Sequence, residues 1–252
     1  MRRRHGDNSE DTTANNAVVD RAARSVLRDA EFFFIKQRAD WAESFTGIEE
    51  ANQYTVYDER NQEQFKVVEH KGGCTECITR QCLKDKRPFT LFVTHQGKRW
   101  LKIVRKYSCC LQEIRVYEDD DRAPTDVIDD KAVLGSVVQK WTLFSRSFYV
   151  LDDSGAVLLE ISTDLCNPYN FRIFHNGAEV GEIKKEWSGF GQELLTDADN
   201  FGFNMDKNLS ERTKALLLSA VFLIDFMYFE DNAPVQGRSR HGGTGGFNSY
   251  AF

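Results

Sequence analysis

Ala215–Phe229 reads Ala-Leu-Leu-Leu-Ser-Ala-Val-Phe-Leu-Ile-Asp-Phe-Met-Tyr-Phe and is the most apolar stretch of the chain. Wound into a helix, it is apolar almost all round, which describes either a helix buried in protein or a membrane span. A span needs about 20 predominantly apolar residues, and here Lys214 and Glu230 close the run sooner. Asp225 lies inside it and would cost about 2.5–3.5 kcal/mol at mid-bilayer. Length and charge therefore favour a helix over roughly 209–230 enclosed by protein, with a bilayer anchor as the competing reading. Asn208, followed three residues on by Glu211, supplies a capping pair at its start.

Something must enclose that helix, and the residues before it read as strands. Short runs rich in Val, Ile, Phe and Tyr recur between Gly, Asn and Asp turns. They are Phe32–Arg38, Gln53–Asp58, Glu63–Glu69, Phe89–Thr94, Arg99–Arg105, Glu113–Tyr117, Val133–Trp141, Phe148–Leu151, Val157–Ser162, Asn170–His175, Glu179–Lys185 and Asn200–Asn204. About a dozen short strands at close spacing predict a barrel or sandwich. A quiet repeat runs through them. Phe92-Val93-Thr94-His95-Gln96-Gly97 parallels Arg172-Ile173-Phe174-His175-Asn176-Gly177, and Tyr54–Asp58 parallels Phe148–Asp152. Two hairpin-containing halves would build one barrel by pseudo-symmetry.

Polar composition predicts flexible ends: a disordered tail over 1–24, an ordered domain over 25–230, and a Gly-rich tail over 231–252. Met1–His5 is basic but no apolar run follows it, so no secretory signal is read. The 252 residues carry a net charge of −6 with both signs mixed, which provides no bulk attraction for nucleic acid or an anionic membrane. Any membrane contact must come from local features. The basic stripe Lys98, Arg99, Lys102, Arg105 and Lys106 falls on both faces of a strand.

Before the helix, Thr196-Asp197-Ala198-Asp199-Asn200-Phe201-Gly202-Phe203-Asn204-Met205-Asp206-Lys207-Asn208 reads as half a calcium loop. Counting from Asp197, carboxylates fill positions one and three and Gly202 fills position six; Phe201 offers only its carbonyl, and Asn208 stands where a bidentate Glu is expected. On spacing alone, a solvated turn before a capped helix competes with a weak calcium site. The six cysteines are read as reduced and cytosolic. Cys74, Cys77 and Cys82 with Cys109 and Cys110 lack a second C-x-x-C for a zinc site. No phosphate loop, nucleophile elbow or triad order is present, so nothing points to bond-making catalysis.

Several ordered blocks together carry a resemblance. Thr196–Gly202, Phe222-Leu223-Ile224-Asp225-Phe226-Met227, Arg87-Pro88-Phe89-Thr90-Leu91, Cys109-Cys110-Leu111-Gln112-Glu113-Ile114, Gly135–Gln139 with Trp141, and Lys185 with Trp187 and Gly189 resemble the phospholipid scramblase signature across roughly 27–230. The resemblance implies a Tubby-like fold, a closed barrel of about twelve strands around the hydrophobic helix. It implies ATP-independent, calcium-stimulated, bidirectional movement of phospholipids between leaflets. It also places calcium ligands on Asp197, Asp199, Phe201, Phe203 and Asn208. The last position is usually Asp in the family, and Asp206 is available nearby, so weak affinity is expected. Cys109 and Cys110 match the end of a palmitoylated cluster, and two acyl chains suffice for stable anchoring. The implied location is the cytoplasmic face of a membrane, the plasma membrane above all, with membrane phospholipids, protein partners and oligomers as possible company and no nucleic acid. Gly181–Phe190 aligns with a nuclear-import segment but carries Glu182 and Glu186, and reads better as a strand. The competing function is a membrane-associated Tubby-like regulator that binds lipid or protein without scrambling.

Overall fold

The computed structural model describes residues 20–37, 52–70, 86–119, 133–164, 166–185 and 200–229. The alternation read from the sequence becomes twelve strands: β1 (Phe32–Gln37), β2 (Gln53–Tyr57), β3 (Glu63–Glu69), β4 (Phe89–His95), β5 (Lys98–Arg105), β6 (Glu113–Glu118), β7 (Val133–Lys140), β8 (Ser147–Asp152), β9 (Val157–Asp164), β10 (Asn167–His175), β11 (Ala178–Lys184) and β12 (Asn200–Asn204). Each is antiparallel to its neighbours in sequence, and β1 pairs with β12 to close an up-and-down barrel. Phe33 lies opposite Phe203 and Ile35 opposite Phe201 across that closing seam. Alternate residues such as Phe65 and Val67, Phe148 and Val150, or Leu159 and Ile161 are buried, as a two-residue side-chain period requires.

A barrel of twelve strands is too wide for wall side chains alone to fill. The apolar helix fills it. Residues 20–29 are helical (α1), and the second helix, α2 (Glu211–Ile224), continues into a π-helical turn over Asp225–Phe229. Every residue from Thr213 to Ile224 is buried, so the enclosed reading holds. Among the described residues no helix is long and apolar enough to cross a membrane. Gly135 of β7 shows how close the helix lies to the wall: a Cβ there would stand 2.8 Å from a Leu216 methyl and 2.3 Å from the Leu151 carbonyl oxygen.

Two expectations at the helix start change. The N-cap is Ser210, whose hydroxyl accepts from Thr213 N–H at 3.1 Å. Asn208 instead donates its backbone N–H and its amide to Asp206 Oδ1, a local turn that competes with capping. Glu211 pairs with Arg28 of α1. Helix α1 begins by Asp20, ahead of the expected start of the ordered domain at 25, because Ala23 and Leu27 are fully buried. The rest of 1–24 and all of 231–252 lie outside the described residues.

The internal repeat has structural counterparts six strands apart. His95 Nδ1 and His175 Nδ1 each sit 2.7 Å from a carbonyl on the preceding strand, Gln64 and Leu158. Both hairpins turn through positive φ, at Gln96 and Gly97 and at Asn176 and Gly177. Asp58 just after β2 and Asp152 at the end of β8 each accept from N–H groups two and four residues on. Strands β2–β5 and β8–β11 are thus two similar four-strand units of one wall.

Candidate functional site

Antiparallel order sorts the connections between the two ends of the barrel. The tight turns after β2, β4, β8 and β10, and the start of α2, share one end. The connections after β5, β7 and β9 share the other with the π-helical turn, since α2 runs back through the barrel. This second end, the loop end, holds Cys109, Cys110 and Asp225.

Cys109 and Cys110 occupy the exposed β5–β6 connection as free thiols, their Sγ atoms 3.4 Å apart. The hydrogen bond to Cys109 pushes the Cys110 thiol pKa up from its ordinary value. Buried Gln112 holds this connection. Its Nε2 donates to the Ser108 and Cys110 carbonyls at 3.0 and 3.2 Å, while its Oε1 accepts from Arg105 Nε and Nη2 at 3.0 and 2.6 Å. The thiol pair is presented outward by a fixed backbone rather than by a loose strand end.

Beneath it, polar groups cluster around the helix terminus. Tyr54 donates to Asp225 Oδ2 at 2.8 Å, and Arg87 donates to Glu69 Oε1 at 2.5 Å, all four residues being buried. Arg87 lies 4.6 Å over the Phe226 ring, and Phe226 stacks on Phe89 at 4.2 Å. Buried ionised groups are costly unless paired and hydrogen-bonded. These contacts meet that cost and fix how the π turn, a feature frequent at functional sites, seats in the wall. Asp225, which argued against a membrane span, is one point where the helix is fastened to the barrel.

Of the candidate calcium ligands, the structure describes Phe201, Phe203, Asp206 and Asn208. Phe201 and Phe203 lie in β12 with both rings fully buried, facing β1 in a regular ladder. Asp206 and Asn208 follow β12 at the far end, bonded to each other. Asp197 and Asp199 lie outside the described residues. A five-residue strand holds its ends roughly 13–17 Å apart, so Asp206 and Asn208 stand well away from Asn200 at the start of β12. Among the described residues no cluster of three or more His, Cys, Asp or Glu forms a metal site. Cys74, Cys77 and Cys82, and residues 186–190 of the nuclear-import segment, are outside the described residues.

The basic stripe does not form one surface. Arg105 points inward to Gln112, Arg99 lies 3.6 Å from Asp119, and Arg99 and Lys102 both lie over the Phe92 ring. Sequence reasoning did not single out the Tyr54–Asp225 and Arg87–Glu69 contacts. Arg87 and Asp225 were inside the quoted blocks, yet their partners lie 18 and 171 residues away. Nor did it single out the apolar connection Trp141–Phe144, although three large apolar residues in a turn are a visible signal.

A family profile described as Scramblase matches residues 12–231. Phospholipid scramblase 1 of Rattus norvegicus is 32% identical over 228 residues, covering 84% of this chain and 64% of the rat protein. Phospholipid scramblase 1 of Homo sapiens is 31% identical, with 84% of this chain and 67% of the human protein covered. Phospholipid scramblase 2 of Bos taurus is 31% identical over 219 residues, with 81% and 70% covered. The chain therefore spans slightly under two thirds of the rat relative's length. With a profile match across most of the chain and a closed barrel around an apolar helix, this protein belongs to the scramblase family.

Proposed function

We propose that this protein moves phospholipids between bilayer leaflets, without ATP and stimulated by calcium, from the cytoplasmic face of a membrane such as the plasma membrane. The observation that carries the reading is the profile match over residues 12–231, joined to relatives whose names state the activity. Because α2 is enclosed, membrane contact falls to the loop end, where acyl chains on Cys109 and Cys110 would supply a durable anchor.

Calcium enters this reading through β12. Asp197 and Asp199 are its charged ligands, with the Phe201 and Phe203 carbonyls, Asp206 and Asn208 joining only if β12 leaves the wall. The described residues favour that seam: β12 pairs with β11 through just Ile183–Phe203 and Lys184–Gly202, against five pairs with β1. Opening there would expose the apolar helix and the polar groups at its end to lipid.

The test is purified protein in vesicles carrying a fluorescent phospholipid. Millimolar calcium, without ATP, should accelerate the exposure of inner-leaflet probe. Rates unchanged across that range would overturn direct scrambling and favour a lipid- or protein-binding regulator.

A further inference from the structure

The loop end carries an apolar surface that the family relationship does not assign. Trp141, Leu143 and Phe144, in the six-residue connection between β7 and β8, are 73%, 72% and 73% exposed. A residue this large and apolar is ordinarily found singly on a surface; here three share one turn. Tyr107 and Leu111 flank the cysteine pair in the adjacent β5–β6 connection, and Tyr169 stands beside the β9–β10 turn, all exposed. Of the eight exposed large apolar side chains among the described residues, these six lie at the loop end. The concentration at one end is what distinguishes a docking surface from scattered exposure.

The turn is built to stay open. Thr142 donates its hydroxyl to the Ser145 carbonyl, and Ser145 and Ser147 hydroxyls bond each other at 3.2 Å. Arg146 is held by the Pro168 carbonyl at 2.9 Å and lies over the Tyr169 and Tyr228 rings. These contacts use the polar residues of the segment and leave the apolar ones outward.

Charge identifies the occupant. Lys86 and Lys106 are exposed at this end, and Arg146 is half-buried beside them. The nearby carboxylates Glu113, Glu160 and Asp164 face Arg115, Lys140 and Arg172. Among the described residues, the unpaired charge beside this turn is therefore cationic, on a chain whose net charge is −6. Trp and Tyr rings with Leu and Phe, edged by Lys and Arg, match the interface of an anionic bilayer.

We propose that the Trp141–Phe144 turn, with Tyr107, Leu111 and Tyr169, inserts into the headgroup region of an anionic membrane. It binds directly, without acylation, and aims Cys109 and Cys110 at the lipid. This rests on the membrane reading above but makes a separate demand, namely binding without lipid movement.

The test uses the full chain made in a bacterial host, hence unacylated, and calcium-free vesicles of about seven parts phosphatidylcholine to three parts phosphatidylserine. Vesicles should blue-shift tryptophan emission and allow quenching by bromine-labelled lipid, and Trp141→Phe, which leaves Trp41, Trp100 and Trp187 as emitters, should diminish both changes. Leu143→Ser/Phe144→Ser should bind vesicles at least about tenfold more weakly, each lost apolar anchor being worth that order. Its melting temperature should match wild type, because both side chains are exposed. Vesicle affinity unchanged in the double variant would overturn the proposal. So would a variant that alters only self-association, which would assign the face to a second copy of the chain. Wild type that binds but fails to scramble counts against the function reading alone.

Discussion

Replacing Phe222 by alanine tests whether the apolar helix is the core of this protein. The Phe222 side chain is fully buried inside the barrel, with its ring 5.2 Å from that of Tyr54. Truncating a buried Phe to Ala costs about 3–5 kcal/mol, through lost transfer energy and the cavity left behind. The Tyr54 ring contact accounts for about 0.5–1.5 kcal/mol of such a loss. For a domain of this size each kcal/mol moves the melting temperature by about 2–4 °C, so a fall of roughly 6–20 °C is expected. Phe144→Ala is the matched control, since it removes the same atoms from a side chain that is 73% exposed, and surface changes usually stay within about 0.5 kcal/mol. Urea unfolding of detergent-free protein, followed by circular dichroism, reads both. The Phe222 variant should shift the midpoint with an unchanged slope. A loss below about 1 kcal/mol, or one equal to that of the Phe144 variant, would refute an enclosed helix and revive the bilayer anchor.

Three further outcomes follow from particular contacts. Gly135→Ala places a methyl 2.3 Å from a backbone oxygen, which cannot yield as a flexible side chain would; it should destabilise by about 1–3 kcal/mol, and a melting curve superimposable on wild type would refute that packing. Lys184→Cys with Gly202→Cys should form a disulfide across the β11–β12 seam, because the pair is in register and paired strands bring Cα atoms within bridging distance. Oxidation should suppress calcium-stimulated lipid movement and reduction restore it; full activity in the oxidised form would exclude opening at this seam. The Asp152 carboxyl should titrate below its ordinary 3.8, because Ser154 and the Ala156 N–H bond the charged form. Its contribution to stability is complete above the unfolded value and is lost as pH falls through the lower folded one. Carbon-detected NMR titration reads this directly, and a midpoint at or above 3.8 would contradict the turn geometry.

What could be read from the chain itself was local. Alternation of apolar and polar residues marked all twelve strands, with ends shifted by at most three residues, as at the start of β10. The run Ala215–Phe229 with its interior Asp225 pointed to an enclosed helix, because burial on every side is written into composition. The repeat around His95 and His175 was visible because the same turn chemistry recurs. Capping was misread at Asn208 since Asp206, two residues away, competes for its N–H groups, and neighbouring polar residues look interchangeable in a linear sequence.

The candidate site was legible in part. Cys109 and Cys110 stand exposed as a loop position implies, and their setting by Arg105 and Gln112 depends on strands that meet only in three dimensions. Tertiary pairing decided the middle of the acidic segment. As a sequence, Asp197 to Asn208 resembles one ligand loop; closure of β1 onto β12 makes Asn200–Asn204 part of the wall and sets Asp206 and Asn208 beyond its end. Tertiary structure also decided that Trp141, Leu143, Phe144, Tyr107, Leu111 and Tyr169 share one surface. Local pattern fixes which backbone each segment prefers, whereas strand pairing and ring closure are properties of the whole sheet, and they determine which loops become neighbours.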